Sequence, residues 1–279
     1  MVAIIASPDS SIEFKSYRCF KSESFTGFQD MARLNILIGR NNSGKSAALH
    51  VIRLSTQISG NPDANKVLGD SIIRIDGQIT EDIIRANFQE NTRGGGLPGE
   101  NHLAFARPMI GKRMSVTYQS GRPPQIESLP TGFERYKNEA NFVNLARSFR
   151  TPLQGRIVAE VSAERDIQSE TDNGLGLSAS GGGATSTIQA IQNKAKYNQR
   201  LISQTLLEEL NSIVAPDAQF SSLVARQLES NHWEVFLEEK DKGLVPLSAS
   251  GSGLKTIILV LLQLVIIPAA QGQNLSNYV

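Results

Sequence analysis

Gly39, Gly44, Lys45 and Ser46 stand at the spacing G-x-x-x-x-G-K-[ST], inside the stretch Leu34-Asn35-Ile36-Leu37-Ile38-Gly39-Arg40-Asn41-Asn42-Ser43-Gly44-Lys45-Ser46-Ala47-Ala48-Leu49. That spacing serves one kind of chemistry, the holding of a polyphosphate. A triphosphate is gripped by several backbone N–H groups at once, so the chain must bend tightly around it, and glycine reaches the positive-φ conformations that such bends need. Gly39 and Gly44 supply that freedom, and Asn41, Asn42, Ser43 and Ala47 complete the loop that lines the phosphates. A helix opening near Gly44 turns its free N–H groups and the positive end of its dipole toward the anion. Lys45 adds a point charge for the β- and γ-phosphates. The Ser46 hydroxyl is small enough to ligate Mg²⁺.

The elements that must position this loop are legible on either side of it. Leu34 to Ile38 is a continuous apolar run, expected to form a central strand buried on both faces. After the loop, Ala48, Leu49, Ile52 and Leu54 recur at helical spacing, and Gly60-Asn61-Pro62 marks where the helix ends.

A second stretch, Leu247-Ser248-Ala249-Ser250-Gly251-Ser252-Gly253-Leu254-Lys255, precedes the most apolar helical pattern in the chain. Serine hydroxyls and free amides opening a helix form another anion site, suited to a γ-phosphate. A near twin, Leu177-Ser178-Ala179-Ser180-Gly181-Gly182-Gly183, lies earlier. It feeds a more polar helix through Gln189, Gln192 and Lys194 and reads as a mobile linker, so the later copy is the preferred site.

The chain has 279 residues, 40% of them hydrophobic, and a formal net charge of +1. This suits one large domain or two small ones, and such a chain buries about three quarters of its unfolded surface. A balanced charge neither demands nor excludes nucleic acid. The single cysteine, Cys19, rules out an intrachain disulfide, points to a reducing cytoplasm and reads as a small buried residue. No signal peptide is apparent at the N-terminus. The longest apolar run, Ile257 to Ile267, is interrupted by Gln263 and stopped by Pro268, too short for a bilayer, which takes about 20 residues. His50, His102 and His232 are scattered without metal-ligand spacing.

Along the rest of the chain, Ile12 to Tyr17 alternates as a half-buried strand and Phe20 to Phe28 returns beside it. Ser71 to Ile84 reads as short strands or an amphipathic stretch, and Arg93 to Gly99 as a flexible loop. Met114 to Tyr118 reads as a strand closed by Gly121-Arg122-Pro123-Pro124, and Glu134 to Arg150 as a helix. Arg156 to Asp166 begins strand-like and becomes charged. A helix from Asn198 to Ala215 places Leu201, Ile202, Leu206, Leu210 and Ile213 on one face. Phe220 to Leu228 and Trp233 to Glu239 form a hairpin turning at Ser230-Asn231.

On Ile12-Glu13-Phe14-Lys15-Ser16-Tyr17-Arg18-Cys19-Phe20, on Ile38 to Ser46 and on Leu247 to Lys255, the chain resembles the ATP-binding-cassette ATPases of the RecF, SMC and OLD type. Ser162-Ala163-Glu164-Arg165-Asp166 and the Asn198 to Ala215 helix are similar to parts of OLD-like ATPases of antiphage systems such as Septu and Gabija. The resemblance implies an α/β P-loop NTPase fold, an ABC-ATPase-like head with a nucleotide core at 1–60 and 232–279 and an inserted helical and irregular lobe at 61–231. It implies ATP and Mg²⁺ as ligands, with Lys45 and Ser46 acting in cis. Ser248, Ser250, Gly251, Ser252 and Gly253 would close in trans on the nucleotide of a partner copy. The implied partners are a second copy, DNA and a nuclease, in the cytoplasm and without a membrane.

That family continues past the signature helix into an acidic Walker B strand. This chain ends at Leu275-Ser276-Asn277-Tyr278-Val279, where that strand would start, so it reads as a head cut short, with no catalytic residue assigned and little hydrolysis unaided. For the glutamine of the Q-loop, Gln78 and Gln89 stay open. The competing readings are a non-hydrolysing nucleotide-sensing or assembly module, and a small-molecule kinase or GTPase that shares only the phosphate loop.

Overall fold

The computed structural model describes residues 2–4, 10–29, 31, 34–92, 96–151, 153–239 and 242–273. The chain divides between Ile157 and Val158 into two compact units, each with its own apolar core. The expected nucleotide core contributes residues 1–60 to the first unit and 232–273 to the second.

The first unit runs β1 (Val2–Ile4), β2 (Ser11–Lys15), β3 (Thr26–Phe28), β4 (Leu34–Ile36), α1 (Lys45–Ser55), β5 (Ile72–Gln78), α2 (Glu81–Asn87), α3 (His102–Ala106), β6 (Arg113–Gln119), β7 (Gln125–Ser128) and α4 (Ala140–Ser148). Five strands form one antiparallel sheet in the order β3-β2-β5-β6-β7. The two-residue period of a strand sends alternate side chains to opposite faces. Ile12 and Phe14, Ile73 and Ile75, and Met114, Val116 and Tyr118 therefore share one buried face, in a single core with Val51, Ile52 and Leu54 of α1. Full burial of each such large side chain contributes roughly 1.5–3 kcal/mol. The opposite face pairs across strands: Arg74 donates to the buried Glu13 beside it, and Asp76 accepts from Ser11 at 2.7 Å and from Ser115. Ser71 to Ile84, open between strand and helix by sequence, divides into β5 and the start of α2.

The apolar run at Leu34–Ile38 is not a buried central strand. It forms only the three-residue β4, laddered antiparallel with β1, after which the chain leaves extended pairing. Ile36 is 60% exposed and Ile38 92% exposed. A continuous apolar run implies burial on both faces only where layers flank it, and among the described residues β4 is paired to β1 alone.

The second unit contains α5 (Ala184–Asn193), α6 (Leu207–Val214), β8 (Phe220–Gln227), β9 (Trp233–Glu239), β10 (Gly243–Pro246), α7 (Ser252–Leu261) and α8 (Ile267–Gln271). The β8–β9 hairpin forms as its alternation expects, with Asn231 in the left-handed turn position, and β10 extends it to the antiparallel order β10-β9-β8. The Arg156 to Asp166 segment forms no strand. With every described ladder antiparallel, the molecule is a mixed α/β protein with antiparallel sheets.

Two widened helical turns correct the sequence phase. The π-helical stretch Leu201–Leu206 leads into α6, and a turn wider than 3.6 residues rotates the face of the helix beyond it. Ile202, Leu206 and Leu210 are buried as expected, but Ile213 is 52% exposed and Val214 packs against the core in its place. A second π-helical stretch, Leu262–Ile266, separates α7 from α8, so helical structure continues through Pro268 to Gln271 rather than stopping there. Loosening the ladder just ahead of a proline accommodates its ring and its missing N–H. The resulting helix, Ser252–Gln271, has 20 residues, and an 18-residue stretch of it has a mean hydropathy of 2.2, long and apolar enough by those measures to cross a membrane. Here Ile258, Leu259, Leu261, Leu262 and Ile266 are buried in the core of the second unit.

Candidate functional site

The residues expected to form a phosphate loop are brought together by local backbone geometry. Asn42 (φ 63°) and Gly44 (φ 90°) both take the left-handed conformation, and α1 begins at Lys45 with Ala48 N–H donating to Gly44 O at 2.9 Å. Successive residues of opposite backbone hand curl N–H groups into an anion-binding concavity. Among the described residues, the amides of Asn41, Asn42, Gly44, Lys45, Ser46 and Ala47 make no hydrogen bond, and no side chain caps α1. Only Ser43 of this run donates backward, to Arg40 O at 3.3 Å. Lys45 folds over the loop, its Nζ donating to Gly39 O at 2.8 Å and Arg40 O at 2.6 Å. The loop is solvent-exposed, with Gly44 and Lys45 half-buried.

Gly44 is required twice over. Its φ is one that side chains rarely adopt, and a Cβ there would lie 2.6 Å from the Phe20 ring and 2.8 Å from Cys19 Sγ. The turn after β2 therefore buttresses the loop from below. Cys19 is exposed, against its reading as a buried residue; Arg18 before it takes the left-handed conformation at φ 50°. Next to it, the Tyr17 hydroxyl is hydrogen-bonded to His50 Nδ1 with the two rings stacked, and burial raises the Tyr17 pKa above that of an ordinary phenol.

The two glycine-serine loops differ in what already occupies them. Ahead of α5, the carboxylate of Glu170 accepts from the amides of Gly183 and Ser186, the latter at 3.0 Å, so the positive end of that helix holds its own anion. The loop is also tied down: Ser186 and Thr187 hydroxyls bond the backbone of Gly174 and Gly176, and Cβ atoms at Gly181 and Gly183 would sit 2.1 and 1.9 Å from backbone oxygens. The polar helix that it feeds is a buried one. Residues 184–191 of α5 are all buried, and Gln192 donates to Leu223 O and accepts from Ala225 N, doing for β8 what another strand would.

Ahead of α7 the situation is reversed. Gly251, Ser252 and Gly253 are exposed, no side chain caps the helix, and a Cβ at Gly251 or Gly253 would meet nothing within 4 Å. Ser250 spends its hydroxyl on Pro246 O, and Ser248 is held by its amide, which donates to Glu234 at 3.2 Å. The first turn of α7 is anchored from the Ser162 to Asp166 segment. Lys255, buried, donates to Asp166 and to Ser248 O, and Arg165 donates to Thr256 Oγ1 at 2.7 Å. The hydrogen bond from Lys255, and then that from Gln168, hold the Asp166 carboxyl below its ordinary pKa.

Gln78 ends β5 and Gln89 lies beyond α2; both are exposed. Among the described residues no three His, Cys, Asp or Glu side chains gather as a metal site. Glu170 and Glu234, which set the two loops apart, carried no local signal, since each lies more than a dozen residues from the amides it binds. No protein-family model matches the chain, and no curated protein matches it.

Proposed function

We propose that this chain is the nucleotide-binding head of an ATPase of the RecF, SMC and OLD type, holding ATP and Mg²⁺ at the 39–47 loop, with Ser46 as the metal ligand. What carries the reading is the set of unpaired amides at Asn41, Asn42 and Gly44 to Ala47, gathered at the uncapped start of an eleven-residue helix with the Lys45 ammonium beside them. Such a set of free N–H groups, open to solvent at a helix start, fits the terminal oxygens of a polyphosphate.

The second half of the proposal is pairing in trans. Ser248 to Gly253 of one copy closes on the nucleotide bound by another, and the earlier loop has no part in it. A Cβ at Gly251 or Gly253 would meet nothing within 4 Å, so both positions are open to close approach by another molecule. Charge-assisted hydrogen bonds that form only when both loops engage the γ-phosphate supply the coupling. Cytoplasmic location and action on DNA, with an associated nuclease, enter through the family resemblance, and a salt-dependent DNA titration tests the latter.

Calorimetric titration with ATP and Mg²⁺ decides the central assignment. Lys45→Ala should weaken binding by about 1.5–3 kcal/mol, roughly ten- to a hundredfold, as for the loss of a charged hydrogen bond. Unchanged affinity would remove the loop from the site, and a strong preference for GTP would favour a kinase or GTPase.

A further inference from the structure

The balanced charge of the chain conceals a division between its two units. Residues 1–157 carry 20 Lys and Arg against 14 Asp and Glu, a net charge of +6, whereas residues 158–278 carry 8 against 13, a net charge of −5. Charge separated in this way sets up fields that reach beyond contact distance and act on whatever approaches either unit.

The same division holds at the two loops. In the stretch 16–46 five Lys and Arg stand against two Asp and Glu. Arg18 and Lys21 flank Cys19 and Phe20, on which Gly44 rests, and Arg40 lies in the loop itself. All three are exposed, and none enters an ion pair among the described residues. Near α7 the sign is reversed, because Glu160, Glu164, Asp166 and Glu234 outnumber Arg165 and Lys255. Contacts with this helix and its loop place them there. Gln263 donates to Glu160 O at 2.9 Å, Asp166 accepts from Lys255, and Glu234 accepts from the Ser248 amide. Glu164, exposed, adjoins the Arg165 that donates to Thr256.

We propose that a second copy of this chain is the partner to which both charged faces are fitted. The basic surround of the 39–47 loop in one copy meets the acidic surround of Gly251 to Gly253 in the other, and the attraction brings copies together head to tail before any nucleotide binds. Contacts between two first units, or between two second units, set like charges against each other; the head-to-tail arrangement makes both of its contacts attractive. The acidic surround also keeps free ATP, itself an anion, away from the closing loop, so that the loop engages a nucleotide only where a basic surround carries it. This inference rests on the pairing of copies proposed above and not on ATP binding.

Sedimentation velocity of the full chain without nucleotide, at about 20 and about 300 mM salt, tests this, since the screening length falls from roughly 20 Å to roughly 6 Å between them. Concentration-dependent association is expected at the lower salt and its loss at the higher. Lys21→Glu and Glu164→Lys should each weaken it at least about fivefold. Their melting temperatures should not change, because both side chains are exposed and make no hydrogen bond or ion pair among the described residues. An equimolar mixture of the two variants should regain the parent's strength: a mixed pair joins the two reversed faces at one contact and two unaltered faces at the other. No association at low salt, association indifferent to salt, or no recovery in the mixture would overturn the proposal. Recovery only when both substitutions share one chain would do so too, by showing that the charges are matched within a chain, as would association that requires added duplex DNA. Were a variant to unfold, the salt response of the parent would still decide. With no nucleotide present, these outcomes are separate from those of the ATP titration.

Discussion

Asp166 shows how much a single exposed carboxylate can hold in place. It accepts from Lys255, which also donates to Ser248 O, so one ammonium ties the start of α7 to two neighbouring segments. Because this hydrogen bond lowers the Asp166 pKa in the folded chain, its contribution is complete above the ordinary value of 3.8 and is lost as pH falls through the lowered one. Thermal unfolding of Asp166→Asn should therefore run at a constant deficit to the parent from neutral pH to about 5, and the deficit should shrink as pH drops below about 4. A deficit that persisted unchanged in acid would mean that the charge is not what anchors the helix. The identity of Asp166 as that anchor was out of reach of the sequence, because its partner lies 89 residues away. The bend expected at 39–47 was legible by contrast, since Asn42 and Gly44, residue types that tolerate the left-handed conformation, are neighbours in the chain, whereas the exposure of the strand before it was not.

Among elements, α5 departs from its sequence pattern for an instructive reason. Glutamines and threonines read as surface residues, yet Thr185, Ser186, Thr187 and Gln189 are all buried; the three hydroxyls donate to backbone carbonyls of the segment wrapped around them, while Gln189 Oε1 makes no hydrogen bond among the described residues. Periodicity in apolar residues cannot see a core helix whose neighbours are carbonyls and amides. Glu170→Ala should cost about 1–3 kcal/mol in denaturant unfolding, as expected for uncovering amides that a carboxylate had satisfied. Sulfate should restore part of that loss in the variant and do little for the parent, whose helix end is already filled; no loss at all would deny Glu170 its capping role. The β8–β9 hairpin, in turn, was readable because Trp233, Val235 and Leu237 recur at every second position with Glu234, Phe236 and Glu238 between and after them, and each strand lies next to its partner in sequence. At α6 and α8 the sequence shows the helices but not their phase and end, since a widened turn leaves no mark in a pattern counted at 3.6 residues.

At the scale of the whole molecule, the break between Ile157 and Val158 falls inside a stretch that reads as strand-like by sequence, and which core a residue joins is decided by contacts far along the chain. The exposure of Ile36 and Ile38 belongs to the same scale, because an apolar run states a preference without naming what will cover it. Pairing of two copies is the property to test here. Gly253→Glu introduces a carboxylate where a side chain has open space and the backbone is unstrained, so the variant should fold and bind ATP as the parent does. It should nevertheless fail to pair on adding ATP in sedimentation or light scattering, through repulsion by the partner's phosphates. ATP-induced pairing as strong as the parent's would move the closing surface elsewhere.

The position of Cys19 has a practical consequence. It is the sole thiol of the chain, it is open to solvent, and its sulfur lies against Gly44 at the turn of the phosphate loop. The protein thus comes with a built-in reporter: a thiol reagent attaches at one atom only, and the rate of its attachment, or the colour of a small dye placed there, reads arrival at the loop with no residue exchanged.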